Sequence, residues 1–211
     1  MKGLLLKDFY MTKKYCRSYL FMAMAFLFIS LFNQNSLFCT FYPCMLAGMI
    51  PANLISFDER SKWNDYSKTL PYSSTTIVKE KFIYALIMIL LSSILVTISQ
   101  LIMMIINNSF DLQQILQLFA LTLFVSLIPT STPLPFIFKK GAEQGRIYYY
   151  VMIGFFCVLT GMVSSLYNIN LNNAWGIYYN HIIIALLIIS ILVFYFSYVL
   201  SIKAYDKRKC E

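Results

Sequence analysis

Charge is scarce in this chain and histidine scarcer still: 12% of its 211 residues are Asp, Glu, Lys or Arg, and there is one His. A soluble domain carries about 25% charged residues. A chain that is 59% apolar, with mean hydropathy +0.68, has more apolar surface than a soluble fold of this size hides. The class is therefore integral membrane protein. None of the nine acids falls within an apolar run: Asp111 sits in a connection without basic residues, and Asp8, Asp58, Glu59, Asp65, Glu80, Glu143, Asp206 and Glu211 sit in basic segments. Ion-driven carriers bury ionisable groups at span depth, so a secondary carrier is disfavoured. An intramembrane hydrolase needs a nucleophile with its base, or a metal with His and Asp ligands, at that depth, and neither set is present. No glycine-rich phosphate loop occurs, so the chain has no ATPase of its own. A channel would carry a charged ring or a filter loop, and the sequence has neither. The five cysteines show no CxxC spacing, and they read as packing residues or free thiols rather than metal ligands or disulfides. His181 lies at the edge of the last apolar run and reads as an interface residue.

What charge there is follows a strict alternation. All 17 lysines and arginines fall in four segments, 2–17, 60–81, 139–146 and 203–209, while the connections at 33–36, 107–113 and 168–176 have none. That is the positive-inside pattern, and it places both termini and two loops in the cytoplasm with an even number of spans. Six apolar runs fit, at 19–32, 37–57, 82–106, from near 114 to a break at 129–135, 148–167 and 178–202. The fold class is all-α integral membrane, one membrane domain over 1–211. The basic charge thus sets topology and does not point to nucleic acid.

Residues 1–18 read as a helix lying in the membrane interface. Lys2, Lys7, Lys13, Lys14 and Arg17 fall on one arc, and Leu4, Leu5, Phe9, Met11 and Cys16 fall opposite. In the second run Cys44, Gly48, Ala52 and Ser56 recur every four residues, and Cys157, Gly161 and Ser165 repeat the pattern in the fifth. Small residues at that spacing make a flat face where another helix comes close. Pro129, Pro133 and Pro135 break the fourth run, either ending it or opening its backbone towards a substrate path.

The most informative stretch is 58–81, DERSKWNDYSKTLPYSSTTIVKEK, the longest charged passage between two apolar runs. Trp63, Tyr66 and Leu70 share one face of a short helix with Asp58 and Glu59 at its N-terminal end. Pro71 stops that helix, and Ser73 or Ser74 caps the next. From the residues alone this is either an interfacial helix with its aromatics at headgroup level or a docking surface for an energising partner.

The pattern resembles the small membrane subunits of ABC exporters of the type-2 transport-permease class. The resemblance rests on GLLLKDFYMTKK near the start, FDERSKWNDYSKTLPYS with VKEK after the second run, and PLPFIFKKGAEQGR after the fourth. Within the class it is most similar to bacterial exporters of amphipathic peptide toxins, the phenol-soluble modulin type. The resemblance implies six transmembrane helices after an interfacial elbow helix (1–18), in the bacterial cytoplasmic membrane. It implies a permease homodimer on two ABC ATPase subunits, which bind the ATP and Mg, and an amphipathic peptide or other lipophilic molecule as cargo. Asp58, Glu59, Arg60, Trp63, Tyr66, Leu70 and Pro71 in the first cytoplasmic loop (58–81) would then form the ATPase-coupling helix. Lys139, Lys140, Gly141 and Glu143 in the second loop (138–147) would form a further contact. The alternative, from another class, is a non-transporting membrane anchor or immunity-type binding protein.

Overall fold

Small side chains put one helix at the centre of the molecule. The computed structural model describes residues 2–32, 37–67, 69, 73–107, 111–167 and 176–210, all helical or in short turns, with no strand among them. The helices are α1 (Lys2–Tyr15), α2 (Arg17–Phe32), α3 (Leu37–Arg60), α4 (Trp63–Ser67), α5 (Ser74–Ile106), α6 (Leu112–Ser131), α7 (Pro133–Lys140), α8 (Ala142–Tyr167) and α9 (Gly176–Cys210). α3 is surrounded by α2, α5, α6 and α8. It carries Cys44, Ala47, Gly48 and Ala52, which allow neighbouring backbones to approach.

Thr40–Arg60, Ser74–Ile106, Leu112–Lys140 and Ile183–Lys207 are long and apolar enough to cross a membrane, and Arg17–Ser30 and Ile147–Phe156 are shorter apolar helices. Outward faces are apolar in the manner lipid requires: Leu91, Ile94, Ile98 and Ile102 on α5, and Ile188, Leu192 and Phe196 on α9. At 33 residues α5 is about 50 Å long, well beyond the ~30 Å of hydrocarbon. Its first two turns, with Lys79, Glu80 and Lys81, therefore stand outside the apolar part that begins at Phe82. Ser73 caps α5 by accepting the Thr76 amide at 3.3 Å, and Asp111 caps α6 by accepting the Gln113 amide at 2.9 Å.

The proline-rich break is a bend. α6 runs through Pro129, Thr132 keeps helical angles, and its amide still donates to Ile128 O at 3.2 Å. Pro135 has no N–H for Ser131 O, and the Ser197 hydroxyl of α9 donates to that carbonyl instead. Hydroxyls of Ser126 and Thr130 return to carbonyls one turn back on the same helix. The carbonyl freed by Pro135 is thus closed by a side chain of α9.

Candidate functional site

The ends of α3 and α5 come together beside α1, and five charged side chains meet there. Every fourth residue from Leu4, namely Leu4, Asp8 and Thr12 on α1 and Cys16 just after it, is buried, while Leu6, Phe9 and Tyr10 are exposed. The inward stripe of α1 is thus half polar, which the expected division into a basic and an apolar arc did not contain. Lys81 Nζ lies 2.6 Å from Asp8 Oδ2 and 2.7 Å from Asp58 Oδ2, and Lys7 Nζ lies 2.8 Å from Asp58 Oδ1. Glu80 adds a third carboxyl, with Oε2 at 3.9 Å from Lys81 Nζ. Above the cluster the Thr12 and Tyr84 hydroxyls are 2.6 Å apart, a second tie between α1 and α5.

Burial disfavours the charged forms of Asp8, Glu80 and Lys81, so their states depend on partners. Burial is the largest influence on the Asp8 carboxyl and works to raise it, but Lys81, Glu80 and Lys7 together outweigh it and hold Asp8 below the usual carboxylate range. Burial works to lower Lys81, but Asp58 and Asp8 prevail and raise it, so it stays charged. For Glu80 burial wins: despite Lys81, the carboxyl is pushed up to about 8, with Asp8 adding to the rise.

Both ends of the 58–81 stretch are buried in this cluster. Asp58, Glu80 and Lys81 are 2–4% exposed. Asp58 and Glu59 do not begin the short helix; they close α3, and α4 starts only at Trp63. The two helices are separated by Lys62, whose φ of 53° turns the chain. On α4 the Trp63 and Tyr66 rings pack at 5.4 Å between centroids, and Lys7 Nζ sits 4.2 Å from the Trp63 centroid, a cation–π contact. The ion cluster and the aromatic pair thus share Lys7. Leu70 and Pro71 lie outside the described residues.

Segment 138–147, expected as a loop, is helical on both sides of one residue. Gly141, with φ 95° and ψ 166°, occupies a region open essentially to glycine alone, and its amide closes α7 on Ile137 O at 2.9 Å. The next helix is capped from a distance: Glu59 Oε2 accepts the Ala142 amide at 2.8 Å, which gives an orphan donor at a helix N-terminus an anionic partner. Lys139 and Lys140 are exposed at the end of α7. Arg60 and Tyr66 are exposed as well, and Trp63 is half-buried. Trp63 lines a small recess with Ile77, Phe138, Tyr205, Asp58 and Glu59. Glu143 is on α8, its side chain outside the described set.

Cys44, Gly48, Ala52 and Ser56 are all buried. A side chain at Gly48 would collide with Thr130 Oγ1 of α6, and the Tyr149 hydroxyl of α8 donates to Met45 O three residues away. Cys157, Gly161 and Ser165 are placed on α8, with surroundings outside the described residues. Gln100 of α5 donates to Ser30 of α2 at 3.0 Å.

A bundle of long apolar helices with one charged, tightly tied end defines a multi-pass membrane protein. The model of the ABC-2 family transporter protein family matches residues 3–206, and the chain belongs to that family. It is an ABC-2 type permease, the membrane component of a transporter. No curated protein matches the chain, and no solved structure does.

Sequence reasoning missed the role of Asp8. The signal was present: Asp8 is the lone acid before Asp58, and it stands on a four-residue stripe with Leu4, Thr12 and Cys16.

Proposed function

We propose that this permease is the membrane subunit of an ATP-driven exporter of amphipathic peptides in the bacterial cytoplasmic membrane. Six spans, α2, α3, α5, α6 with α7, α8 and α9, follow α1 as the elbow helix, and both termini are cytoplasmic. Two copies form a homodimer on two ABC ATPase subunits, which carry the ATP and Mg. α4 is the coupling helix, with Trp63 and Tyr66 presented to the ATPase and Arg60, Lys139 and Lys140 around them.

The observation that carries this reading is the fastening of α4. Its aromatic pair is held through Lys7 to a buried ion cluster that joins α1, α3 and α5. A push on α4 therefore reaches three helices at once, which a headgroup-level connector does not require. In this reading Asp58 and Glu59 act from within: the first ties the loop's base to α5 and α1, the second ties it to α8.

Peptide cargo is supported by the apolar spans. A recess lies between α2, α3 and α5. It holds about 260 Å³ and is lined by Leu20, Met24, Leu27, Pro43, Met88 and Leu91, among others. A helical peptide is about 10 Å across, too wide for that recess, so a pathway between two copies suits the cargo better than one within a single chain.

Co-expression with the ABC ATPase encoded nearest to it, followed by affinity purification in detergent, tests the proposal. A stable complex whose ATPase activity rises with added amphipathic peptide is expected. Isolation with a partner that lacks nucleotide turnover would instead support a non-transporting anchor.

A further inference from the structure

The ion cluster holds one carboxyl more than its ammonium groups can serve. Both Asp58 oxygens are taken, by Lys7 and Lys81, and Asp8 Oδ2 is taken by Lys81. Asp8 Oδ1 and Glu80 Oε1 are buried, and neither receives a hydrogen bond from a protein donor; the nearest ammonium to Asp8 Oδ1 is Lys7 at 3.5 Å. Their residues are 0% and 2% exposed. The charged and titratable groups that face them are Lys7 from α1, Asp58 from α3, and Lys81 and Tyr84 from α5. The Thr12 hydroxyl is already engaged with Tyr84 and Asp8 O.

Two buried carboxylate oxygens without donors are costly, and three carboxylates against two ammoniums leave a net negative charge in a dry site. One proton removes both problems, because a neutral Glu80 becomes a donor to Asp8 and the cluster sums to zero. We propose that Asp8 and Glu80 hold a single proton between them, that this acid–carboxylate bond fastens α1 to α5 beside Lys81, and that loss of the proton loosens the fastening. The two carboxyls flank one ammonium, Lys81 Nζ lying 2.6 Å from Asp8 Oδ2 and 3.9 Å from Glu80 Oε2, and burial favours the neutral form of Glu80. The proposal concerns the chain alone and is independent of cargo and ATPase.

The native state keeps a proton that the unfolded chain releases in the ordinary carboxylate range. Stability is therefore fully present below that range and is lost as pH rises through about 8, levelling off beyond. Within that window the unfolding equilibrium constant grows by up to about tenfold per pH unit.

The full-length chain in detergent, unfolded thermally between about pH 5 and about pH 10 and followed by tryptophan fluorescence, provides the test. The wild-type midpoint should fall up to about pH 8 and then flatten. Glu80→Gln keeps a donor for Asp8 but has nothing to titrate, so its profile should lose that slope. Parallel wild-type and Glu80→Gln profiles would overturn the proposal. So would alkaline stabilisation by sodium or potassium over choline, which would mean that a metal cation fills the gap. Should Glu80→Gln not fold, infrared spectra of the wild type decide: a protonated carboxyl band at neutral pH that disappears on alkalinisation is expected, and its absence refutes the shared proton. No nucleotide or partner enters these measurements, so a negative result leaves the transport reading standing.

Discussion

The Lys81 ammonium at the start of α5 lies 2.7 Å from Asp58 Oδ2 at the end of α3. This contact pins the base of the 58–81 connection, so α4 projects from a closed frame. Removing one member of a buried ion pair leaves the other charged and unpaired, which costs about 3–5 kcal/mol. Lys81→Met is thus expected to lower unfolding stability by about that much, since it takes from Asp8 its partner at 2.6 Å and leaves Asp58 with Lys7 alone. Lys81→Met combined with Asp58→Asn should lose less than the sum of the single variants. Denaturant titration in mild detergent measures both. A Lys81→Met loss below about 1 kcal/mol would show that the cluster does not hold the frame.

Trp63 separates stability from coupling. Its ring sits under Lys7 and against Tyr66, contacts worth about 0.5–1.5 kcal/mol each. Trp63→Ala should therefore reduce thermal stability modestly and leave membrane insertion intact. A buried Trp at the centre of an interface commonly contributes 2 kcal/mol or more to binding, so ATPase co-purification should fall at least about thirtyfold. Export should stop. Trp63→Phe should retain part of both. Normal peptide export by Trp63→Ala, with the ATPase still bound, would remove α4 from the coupling path.

Glu59 reaches across the fold to Ala142. Loss of a helix-capping acceptor costs about 0.5–2 kcal/mol, here at the first turn of α8. In Glu59→Ala the amides of Ala142 and Gly145 should exchange hydrogen about 2–30 times faster, while amides in the middle of α5 should be unchanged. Glu59→Gln, which keeps an acceptor but no charge, should fall between. Uniform acceleration throughout the chain would mean that Glu59 acts on global stability and is not a local cap.

The helices and several of their ends could be read from the residues because each depends on neighbours in the chain. Ser73 before an apolar run signals a cap, and Gly141 after two lysines signals a corner. The cluster could not be read this way. Lys81 is 73 residues from Asp8, Lys7 is 51 from Asp58, and each charge by itself has the local setting of a solvated interface residue. The bend at Pro129–Pro135 was ambiguous for a related reason. Whether three prolines end a helix depends on a donor for the freed carbonyl, and that donor, Ser197, lies 66 residues from Ser131.

Lys62 and Gly141 turn the chain at positive φ, at 53° and 95°, yet they should respond to mutation with opposite sign. Lys62 ends α3 in the left-handed region, which costs an L-residue about 1–2 kcal/mol and which glycine adopts freely. It is exposed, so Lys62→Gly removes the strain with little packing loss. That variant should gain up to about 1 kcal/mol after the greater flexibility of the unfolded glycine chain is counted. Gly141 has no such alternative. Its ψ of 166° puts it where a β-carbon is strained by about 1–3 kcal/mol, and any relaxation would move Ala142 away from Glu59. Gly141→Ala should therefore destabilise the chain and also speed Ala142 amide exchange, whereas Lys62→Gly should leave that amide untouched. Equal effects of the same sign at the two positions would mean that the α3–α4 and α7–α8 corners are not built as described.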